Sequence, residues 1–198
     1  MESYVDKRIL RSVKALKDAF LSCLEQKPFH DITISEIVRL AEYNRGTFYA
    51  HFESKEQLLQ SIVDEALENM VVHIQAPYKH MQQVDMRLLD ASSITLFEYF
   101  LHNKRLFKIL LSNHLQIDIR HQIAVAIERL FVQQYEYELP TTDVDVKWLY
   151  IYRAHGLAGM IIHWIEEDFS TPSIVMAEQV LQLMTVVTYK FKVSSANN

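Results

Sequence analysis

The chain has 198 residues with only three Gly and four Pro, and 49% of its residues are hydrophobic, a composition typical of long helices joined by short loops. Its net charge of −5 excludes a uniformly basic nucleic-acid-binding protein, and no run of about 18 apolar residues indicates a membrane span. A single cysteine, Cys23, excludes an internal disulfide and a Cys-rich zinc site, and without an apolar leader the chain is expected to be cytoplasmic.

The charge is distributed unevenly along the chain. Residues 1–60 hold nine basic and nine acidic side chains, whereas residues 61–198 hold eleven and sixteen. The N-terminal part is therefore neutral and the acid lies in the larger C-terminal part. Contact with a nucleic acid through the neutral part must depend on a few placed side chains, and should weaken steeply with salt.

The first predicted helix runs from about Tyr4 to Gln26, because apolar residues recur along it at intervals of three and four. Its core stripe is Ile9, Val13, Leu16, Phe20 and Leu24. Cys23 lies among the apolar positions and is interpreted as a buried thiol. Lys7 and Arg8 fit a solvated face and a phosphate contact equally well.

The segment from Thr33 to Lys55 contains two short helices separated by a tight turn. Thr33 and Glu36 have the spacing of a capping box, which begins the first helix. Asn44 is a suitable N-cap for a second helix from Arg45 to His51. Two short helices with a polar start to the second are typical of a helix-turn-helix.

The outward side chains of this segment are of kinds that contact DNA. Arg45 can pair with guanine or phosphate, and Gly46 lets the backbone approach a duplex closely. Hydroxyl and imidazole groups can donate to phosphate oxygens, and a lysine in the first turn of a helix lies where free N–H groups favour an anion. The predicted DNA-binding residues are Thr33, Tyr43, Asn44, Arg45, Gly46, Thr47, Tyr49, His51 and Lys55.

The run NRGTFYAHFESKEQLL, residues 44–59, resembles the DNA-binding signature of the TetR family of bacterial transcriptional regulators. The resemblance extends from about Arg8 to Val71, roughly a third of the chain. In that family Gly-Val-Ser usually fills the turn, whereas Glu42-Tyr43-Asn44 stands here. The resemblance implies an all-α fold of about nine helices, in which a three-helix N-terminal DNA-binding domain precedes a C-terminal helical bundle.

The helix that follows Ser54 is predicted to end near Gln75, where Ala76-Pro77 stops it. It begins in the helix-turn-helix unit and ends in the next one, so the domain boundary is placed inside it. Residues 1–56 are the expected DNA-binding domain, which extends into the linking helix to about residue 71. Residues 57–198 are the expected ligand-binding and dimerisation domain.

Further helices are predicted from apolar periodicity. They cover Met86 to Leu101, Leu106 to Leu111, Leu115 to Tyr137, Val144 to Glu167, and 172–189. Pro140 is expected to end the third of these, and Thr142 or Asp143 to cap the fourth.

The last two predicted helices carry more apolar surface than one small bundle can bury. The stretch 144–167 is apolar nearly all round, and its Gly156 and Gly159 would let another helix approach closely. The surplus predicts a two-fold homodimer with a four-helix interface formed by about 144–189, as the resemblance also implies. Ordinary intramolecular core is the alternative.

Aromatic residues of the second domain are candidates for an apolar ligand pocket, with packed core as the alternative. These candidates are Phe97, Phe100, Phe107, Trp148, Tyr152, His155 and Trp164. The resemblance implies a small-molecule effector there. The nine His lack the spacing of a metal site and no catalytic or phosphate-binding motif occurs, so neither an enzyme, a metal nor a cofactor is expected.

The resulting hypothesis is a transcriptional repressor that binds double-stranded DNA as a dimer. A small-molecule ligand would tilt the helix 55–75, change the spacing of the two recognition helices and release a near-palindromic operator. One alternative is a TetR-like activator or co-activator that acts through a protein partner. The second alternative is a helical enzyme or a small-molecule carrier.

Overall fold

The computed structural model describes residues 2–81, 83–137 and 143–185, and within these ranges it contains nine α-helices and no strand. The helices are α1 (Glu2–Gln26), α2 (Ile34–Leu40), α3 (Arg45–Tyr49), α4 (Lys55–Gln75), α5 (Leu96–His102), α6 (Lys104–Leu110), α7 (Ile119–Gln134), α8 (Val146–Glu166) and α9 (Ser173–Thr185). The predicted all-α fold is therefore confirmed. None of the described helices is both long and apolar enough to cross a membrane.

Helices α1, α2 and α3 pack with the start of α4 around one small core. Phe20, Ile37, Phe48 and Leu58 are fully buried there, one from each helix. The predicted caps are present: the Thr33 hydroxyl accepts from the backbone N–H of Glu36. The Asn44 and Ser54 side chains accept likewise at the starts of α3 and α4. Local chemistry thus determines where each helix begins, and the helix-turn-helix geometry follows.

The turn between α2 and α3 is a Schellman motif built without glycine. Glu42 has a φ of 59°, in the left-handed region. The backbone N–H of Tyr43 donates to the Val38 carbonyl at 2.9 Å, and the N–H of Glu42 donates to the Arg39 carbonyl at 3.3 Å. The motif satisfies carbonyl groups at the end of α2, but a side chain in this conformation costs free energy that glycine would avoid.

Replacing Glu42 with glycine is expected to raise the free energy of unfolding by about 0.5–1 kcal/mol, because relief of the left-handed strain exceeds the entropy that glycine loses on folding. Urea unfolding followed by circular dichroism measures the change. Glu56→Gly is the control, since Glu56 lies in the first turn of α4 and glycine should destabilise it. Loss of stability in Glu42→Gly would contradict this interpretation of the turn.

Helix α4 has the predicted bounds, and it joins the two parts of the chain. Its buried face runs from Leu58 to Ile74, so one helix contributes to both cores. The Lys17 ammonium lies 2.6 Å from a Glu65 carboxylate oxygen and also donates to the Ser61 carbonyl, which attaches α1 to α4. The Tyr99 hydroxyl donates to the Ala66 carbonyl at 2.8 Å and attaches α4 to α5.

The predicted helix from Met86 to Leu101 is wrong in its first half. The chain forms short 3-10 turns at Met86–Leu88 and Ala91–Ser93 before α5 begins. The side chains of Asp85 and Asp90 accept from backbone N–H groups two residues on, which favours these turns over a continuous helix. As a result Leu88, which lies within the predicted helix, is 84% exposed.

The C-terminal helices form the larger core. Helix α7 packs most extensively against α8, and α9 packs against α5. Helix α7 begins at the Asp118 cap, later than predicted, and α8 is capped by Asp145 rather than by Asp143. Pro140, Thr142 and the part of the last predicted helix beyond Thr185 lie outside the described residues.

Candidate functional site

Helix α3 presents a polar outer face that is held in place by its own cap. The Asn44 side-chain oxygen accepts from the backbone N–H of Thr47 at 2.9 Å and lies 3.3 Å from the Thr47 hydroxyl. An added Cβ at Gly46 would lie 3.1 Å from that same oxygen, so a larger residue would crowd the cap. Gly46 therefore has a local structural role in addition to the predicted one of letting DNA approach.

Arg45 and Tyr49 form an exposed pair one turn apart on α3. The Arg45 guanidinium donates to the Tyr49 hydroxyl at 3.3 Å, and its carbon lies 5.9 Å from the centre of the Tyr49 ring. Both side chains are exposed, as is that of Tyr43 in the preceding turn. A planar cation oriented by a neighbouring ring is suited to bidentate contact with a base edge or a phosphate.

A groove of about 520 Å³ separates this face from the start of α1. Its lining residues are Arg8, Ile9, Ser12, Glu42, Tyr43, Asn44, Thr47, Ala50 and His51. Arg8 therefore faces the predicted DNA-binding residues, although its sequence position alone had left its role open. The Arg8 guanidinium therefore adds positive charge beside the start of α3, although the net formal charge of residues 1–60 is zero.

His51 is directed inward and attaches the end of α3 to α1. Its Nε2 lies 2.8 Å from the Ser12 hydroxyl oxygen, and that hydroxyl donates its own proton to the Ile9 carbonyl at 2.9 Å. Because the hydroxyl has one proton, Nε2 of His51 must be the donor in this pair. With the ring proton of the uncharged imidazole on Nε2, Nδ1 is an acceptor, so the predicted donation from His51 to a phosphate oxygen does not fit this arrangement.

Lys55 is engaged by the protein rather than pointing freely outward. Its ammonium donates to the carbonyl oxygens of Phe29 at 2.9 Å, Ile32 at 2.8 Å and His30 at 3.3 Å. It also lies 4.5 Å from the centre of the Phe29 ring. Three carbonyl acceptors use all three N–H donors of the ammonium group, so its assignment as a DNA contact does not fit this arrangement.

Replacing Lys55 with methionine is therefore expected to act on folding rather than on DNA contact. We expect the free energy of unfolding to fall by about 1–3 kcal/mol, because carbonyl groups of the segment 29–32 lose their charged donor. Chemical denaturation measures this loss, and Lys14→Met on the exposed face of α1 is the control. Unchanged stability together with weaker DNA binding would restore Lys55 as a DNA contact.

Thr33 lies at the start of α2, where its hydroxyl is 3.0 Å from a Glu36 carboxylate oxygen. The Lys27 ammonium lies 2.6 Å from the other oxygen of that carboxylate. Hydrogen bonds from Lys27, and then from Thr33, lower the pKa of Glu36 to about 2. Thr33 is exposed, but its hydroxyl donates its one proton to the Glu36 carboxylate, so donation to a phosphate oxygen would require that hydrogen bond to break.

The structure does not bring the seven predicted pocket residues together. Phe97, Phe100, Phe107 and Trp164 are almost completely buried and pack ring against ring, with the centroids of Phe100 and Phe107 4.3 Å apart. By contrast, Trp148 is 62% exposed, Tyr152 is 78% exposed, and His155 also lies on the surface. Trp148, Tyr152 and His155 therefore do not line a cavity together with the four buried rings.

The exposed face of α8 has a consistent composition. Trp148, Tyr152, Gly156 and Gly159 recur at intervals of four, four and three, which places them on one side of the helix. An added Cβ at either glycine would meet no atom within 4 Å. Open space beside the two glycines, flanked by two exposed aromatic rings, would admit a second helix at short range.

The described residues offer neither a metal site nor an exposed thiol. They contain no group of three or more His, Cys, Asp or Glu side chains placed to hold a metal ion. The Cys23 thiol is buried, as predicted, and burial raises its pKa.

Family comparisons point to one class of protein. A model described as "Bacterial regulatory proteins, tetR family" matches residues 17–62, and one described as "Transcriptional regulator C-terminal region" matches residues 89–186. A similar curated protein is the uncharacterized HTH-type transcriptional regulator YxbF of Bacillus subtilis (strain 168). It is 28% identical over 202 residues, which cover 96% of this chain and 48% of YxbF. The chain thus spans about half the length of that relative.

Solved structures share the fold at low sequence identity. A TetR transcriptional regulator from Streptococcus agalactiae 2603V matches with a TM-score of 0.62 and 19% identity, over 92% of this chain and 98% of that one. The dihydroxyacetone kinase operon activator DhaS matches with a TM-score of 0.59 and 18% identity, over 87% and 93% of the two chains.

Proposed function

Because the chain belongs to the TetR family of bacterial regulatory proteins, we propose that it binds a near-palindromic DNA operator as a two-fold dimer and regulates transcription there. The family consists of regulators rather than enzymes, in agreement with the expectation from the sequence. Residues 1–56 are the proposed DNA-binding domain, and residues 57–198 are the proposed effector and dimerisation domain.

The proposed DNA contact is carried by the exposed face of α3. Arg45 and Tyr49 project from it as a pair, the Asn44 cap fixes its start, and Arg8 of α1 lies across the groove. In this arrangement Arg45 and Tyr43 read base edges in the major groove, whereas Arg8 and the hydroxyl groups contact phosphate. Thr33 is a secondary phosphate contact, and His51 and Lys55 support the fold.

The proposed dimer forms through α8 and α9. The open glycine positions and exposed rings of α8 support it, as do Ile174 and Leu183 of α9, which are large apolar side chains left exposed. A two-fold pair of four helices would cover this surface and place two α3 helices in successive major grooves. One short recognition helix alone supplies too few contacts for specific binding.

We also propose that the protein is a repressor released by a small-molecule effector. The acidic surface of the second domain disfavours DNA contact outside α1–α3, which fits a protein that acts by occupying an operator. The buried cluster of Phe97, Phe100, Phe107 and Trp164 is the proposed apolar receptor region, and its rings would have to separate to admit a ligand. Ligand and operator would then bind in reciprocal competition.

The alternative within regulation is an activator. The structural relative DhaS is named an operon activator, and its fold matches along most of this chain. The same α3 face would then bind the operator, and a protein partner would supply the activating contact. Binding of the purified chain to DNA that strengthens when a second protein is added would favour this alternative over repression.

Selection of bound sites from random duplex DNA tests the proposed function. The purified 198-residue chain is used, first at low salt and then at physiological salt. We expect enrichment of a near-palindrome whose binding weakens steeply as salt increases. A folded dimer that enriches no sequence at either salt would overturn direct operator binding, and would favour the partner-dependent alternative.

A further inference from the structure

Four tyrosine side chains form a cluster near the end of α7 and the start of α8. The tyrosine cluster consists of Tyr78 in the turn after α4, Tyr135 and Tyr137 after α7, and Tyr150 on α8. The ring centres of Tyr78 and Tyr135 are 5.9 Å apart, and those of Tyr137 and Tyr150 are 5.3 Å apart. The Tyr150 hydroxyl donates to the Tyr135 carbonyl at 2.6 Å, so the two ring pairs belong to one group.

The Tyr135 hydroxyl is buried without a partner. Among the buried side-chain polar atoms of the described residues, it alone makes no hydrogen bond. A buried donor without an acceptor costs free energy, because the same group is bonded to water in the unfolded chain. A bound molecule that supplied an acceptor at this position would form the missing hydrogen bond.

The phenol groups of the cluster lie close together and remain protonated. Burial, and then the neighbouring phenol of Tyr137, raise the pKa of Tyr78 to about 12. Burial also raises the pKa of Tyr135, and the phenols of Tyr78 and Tyr137 raise it further. At neutral pH the cluster therefore presents uncharged hydroxyl groups, which can donate to a ligand.

Arg153 adds a positive charge at the edge of the cluster. Its guanidinium carbon lies 4.3 Å from the centre of the Tyr137 ring, and one terminal nitrogen donates to the Met184 carbonyl at 3.3 Å. The side chain is half-buried, and no Asp or Glu in the described part of the chain forms an ion pair with it. A planar guanidinium in this state is suited to a bidentate pair with a carboxylate from outside the chain.

The cluster lies near the surface, and one of its side chains is weakly held. All four tyrosines and Arg153 are half-buried. The Tyr78 hydroxyl donates to the Met86 sulfur at 3.8 Å, and sulfur is a weak acceptor. Displacing the Tyr78 ring from its contact with Tyr135 therefore costs little, and it would open the buried hydroxyl to a ligand. Entry among the buried rings around Phe97 would instead require the core to separate.

We propose that the tyrosine cluster and Arg153 bind a small aromatic carboxylate as an effector. The ligand carboxylate pairs with the Arg153 guanidinium and accepts from the Tyr135 hydroxyl, while the tyrosine rings pack against the ligand ring. An anion fits because the cluster combines a cation with neutral donors. This inference rests on the proposed function for its effect on the operator, whereas ligand binding itself does not depend on that function.

Isothermal titration of the 198-residue chain tests the site with benzoate, phenylacetate and phenylpropionate. These probes place the ring at increasing distances from the carboxylate. We expect at least one to bind once per chain with a dissociation constant of about 1 mM or lower, given that each has about ten non-hydrogen atoms. The corresponding neutral amide should bind at least about tenfold more weakly, because it lacks the charge that pairs with Arg153. Failure of all three carboxylates to bind overturns the proposal.

Replacing Tyr135 with phenylalanine separates ligand binding from folding. The variant loses a buried hydroxyl that has no partner, so stability to urea should stay unchanged or increase. Affinity for the probe should fall by about three- to tenfold, since one hydrogen bond to the ligand is lost. Tyr152→Phe, at an exposed position of α8, is the control and should alter neither quantity. Lower stability with unchanged affinity would show that the Tyr135 hydroxyl serves the fold, and it would overturn its role in binding.

Replacing Arg153 with methionine tests the charged contact. We expect affinity for the probe to fall at least about tenfold, to the level of the neutral amide bound by the parent. Arg129→Met, at an exposed position on α7, is the control and should bind like the parent protein. Parent-like affinity in both Tyr135→Phe and Arg153→Met overturns the site.

Affinity for the selected operator measures the regulatory effect. A saturating probe should weaken operator binding by the parent at least about threefold, and the same concentration should have less effect on Arg153→Met. A probe that binds the cluster and leaves operator affinity unchanged overturns its role as an effector site. A parent protein that selects no DNA overturns the proposed function, and the titrations then decide the ligand site alone.

Discussion

Replacing Tyr152 with glutamate is expected to convert the protein from a dimer into monomers and to abolish operator binding. Tyr152 is 78% exposed on α8, so the monomer loses no buried contact. In the proposed dimer the new carboxylate would be buried in an apolar interface. We expect the dissociation constant of the dimer to rise at least about a hundredfold.

Sedimentation equilibrium over a range of concentrations measures this change. Val72→Glu, an exposed apolar position on α4, is the control and should remain dimeric. Gly156→Leu provides an uncharged test, since the new side chain meets open space in the monomer and improves helix propensity, yet it would block close approach of a second helix. Dimers of normal affinity in both α8 variants would exclude this face as the interface.

Replacing Arg45 with alanine is expected to weaken binding to the selected operator by about ten- to a hundredfold and to relax its sequence preference. The guanidinium is exposed and oriented by the Tyr49 hydroxyl, so its removal disturbs no buried group. The loss should therefore lie in base recognition rather than in stability.

Titrations of the operator and of an unrelated duplex, each at several salt concentrations, separate the two effects. Arg8→Ala is the comparison variant, because a phosphate contact should weaken binding to both duplexes about equally and lower the salt slope by about one. If Arg45→Ala also weakens both duplexes equally, Arg45 contacts phosphate and sequence recognition must come from other residues, such as Tyr43.

Much of the N-terminal unit could be predicted because its structure depends on local chemistry. The caps at Thr33, Asn44 and Ser54 each accept from a backbone N–H three residues on, which the sequence spacing alone indicates. The sequence left the conformation of the altered turn open, and the structure places Glu42 in the left-handed region that glycine adopts most readily.

The roles of Lys55 and His51 could not be predicted, because their partners are distant in sequence. The Lys55 ammonium bonds to carbonyl oxygens 23 to 26 residues earlier, and His51 pairs with Ser12, 39 residues away. A position that matches a DNA-contact motif carries no information about such backbone acceptors. The sequence therefore predicts outward-facing side chains for Lys55 and His51. Only the packing of α1 and of the segment 29–32 shows their partners within the protein.

Periodicity failed in a different way in the second half of the chain. Periodicity predicted a helix that includes Leu88. In the structure the side chains of Asp85 and Asp90 instead accept from backbone N–H groups two residues on, and short turns form there. The stretch that forms α8 is apolar nearly all round, so its periodicity did not indicate which side meets the chain's own core. Trp164 faces inward and Trp148 outward, although both fit the pattern. The surplus apolar surface was predictable, but its location was not.

A dimer that places two α3 helices in successive major grooves should be sensitive to the spacing of the two half-sites in the selected operator. An insertion of about five base pairs between the half-sites rotates one of them by half a helical turn. Fluorescence anisotropy at physiological salt compares this duplex with the parent operator. We expect affinity to fall at least about a hundredfold, because only one α3 helix can then engage. Equal affinity for both duplexes would contradict binding by two coupled α3 helices, since it would mean that each half-site is bound independently.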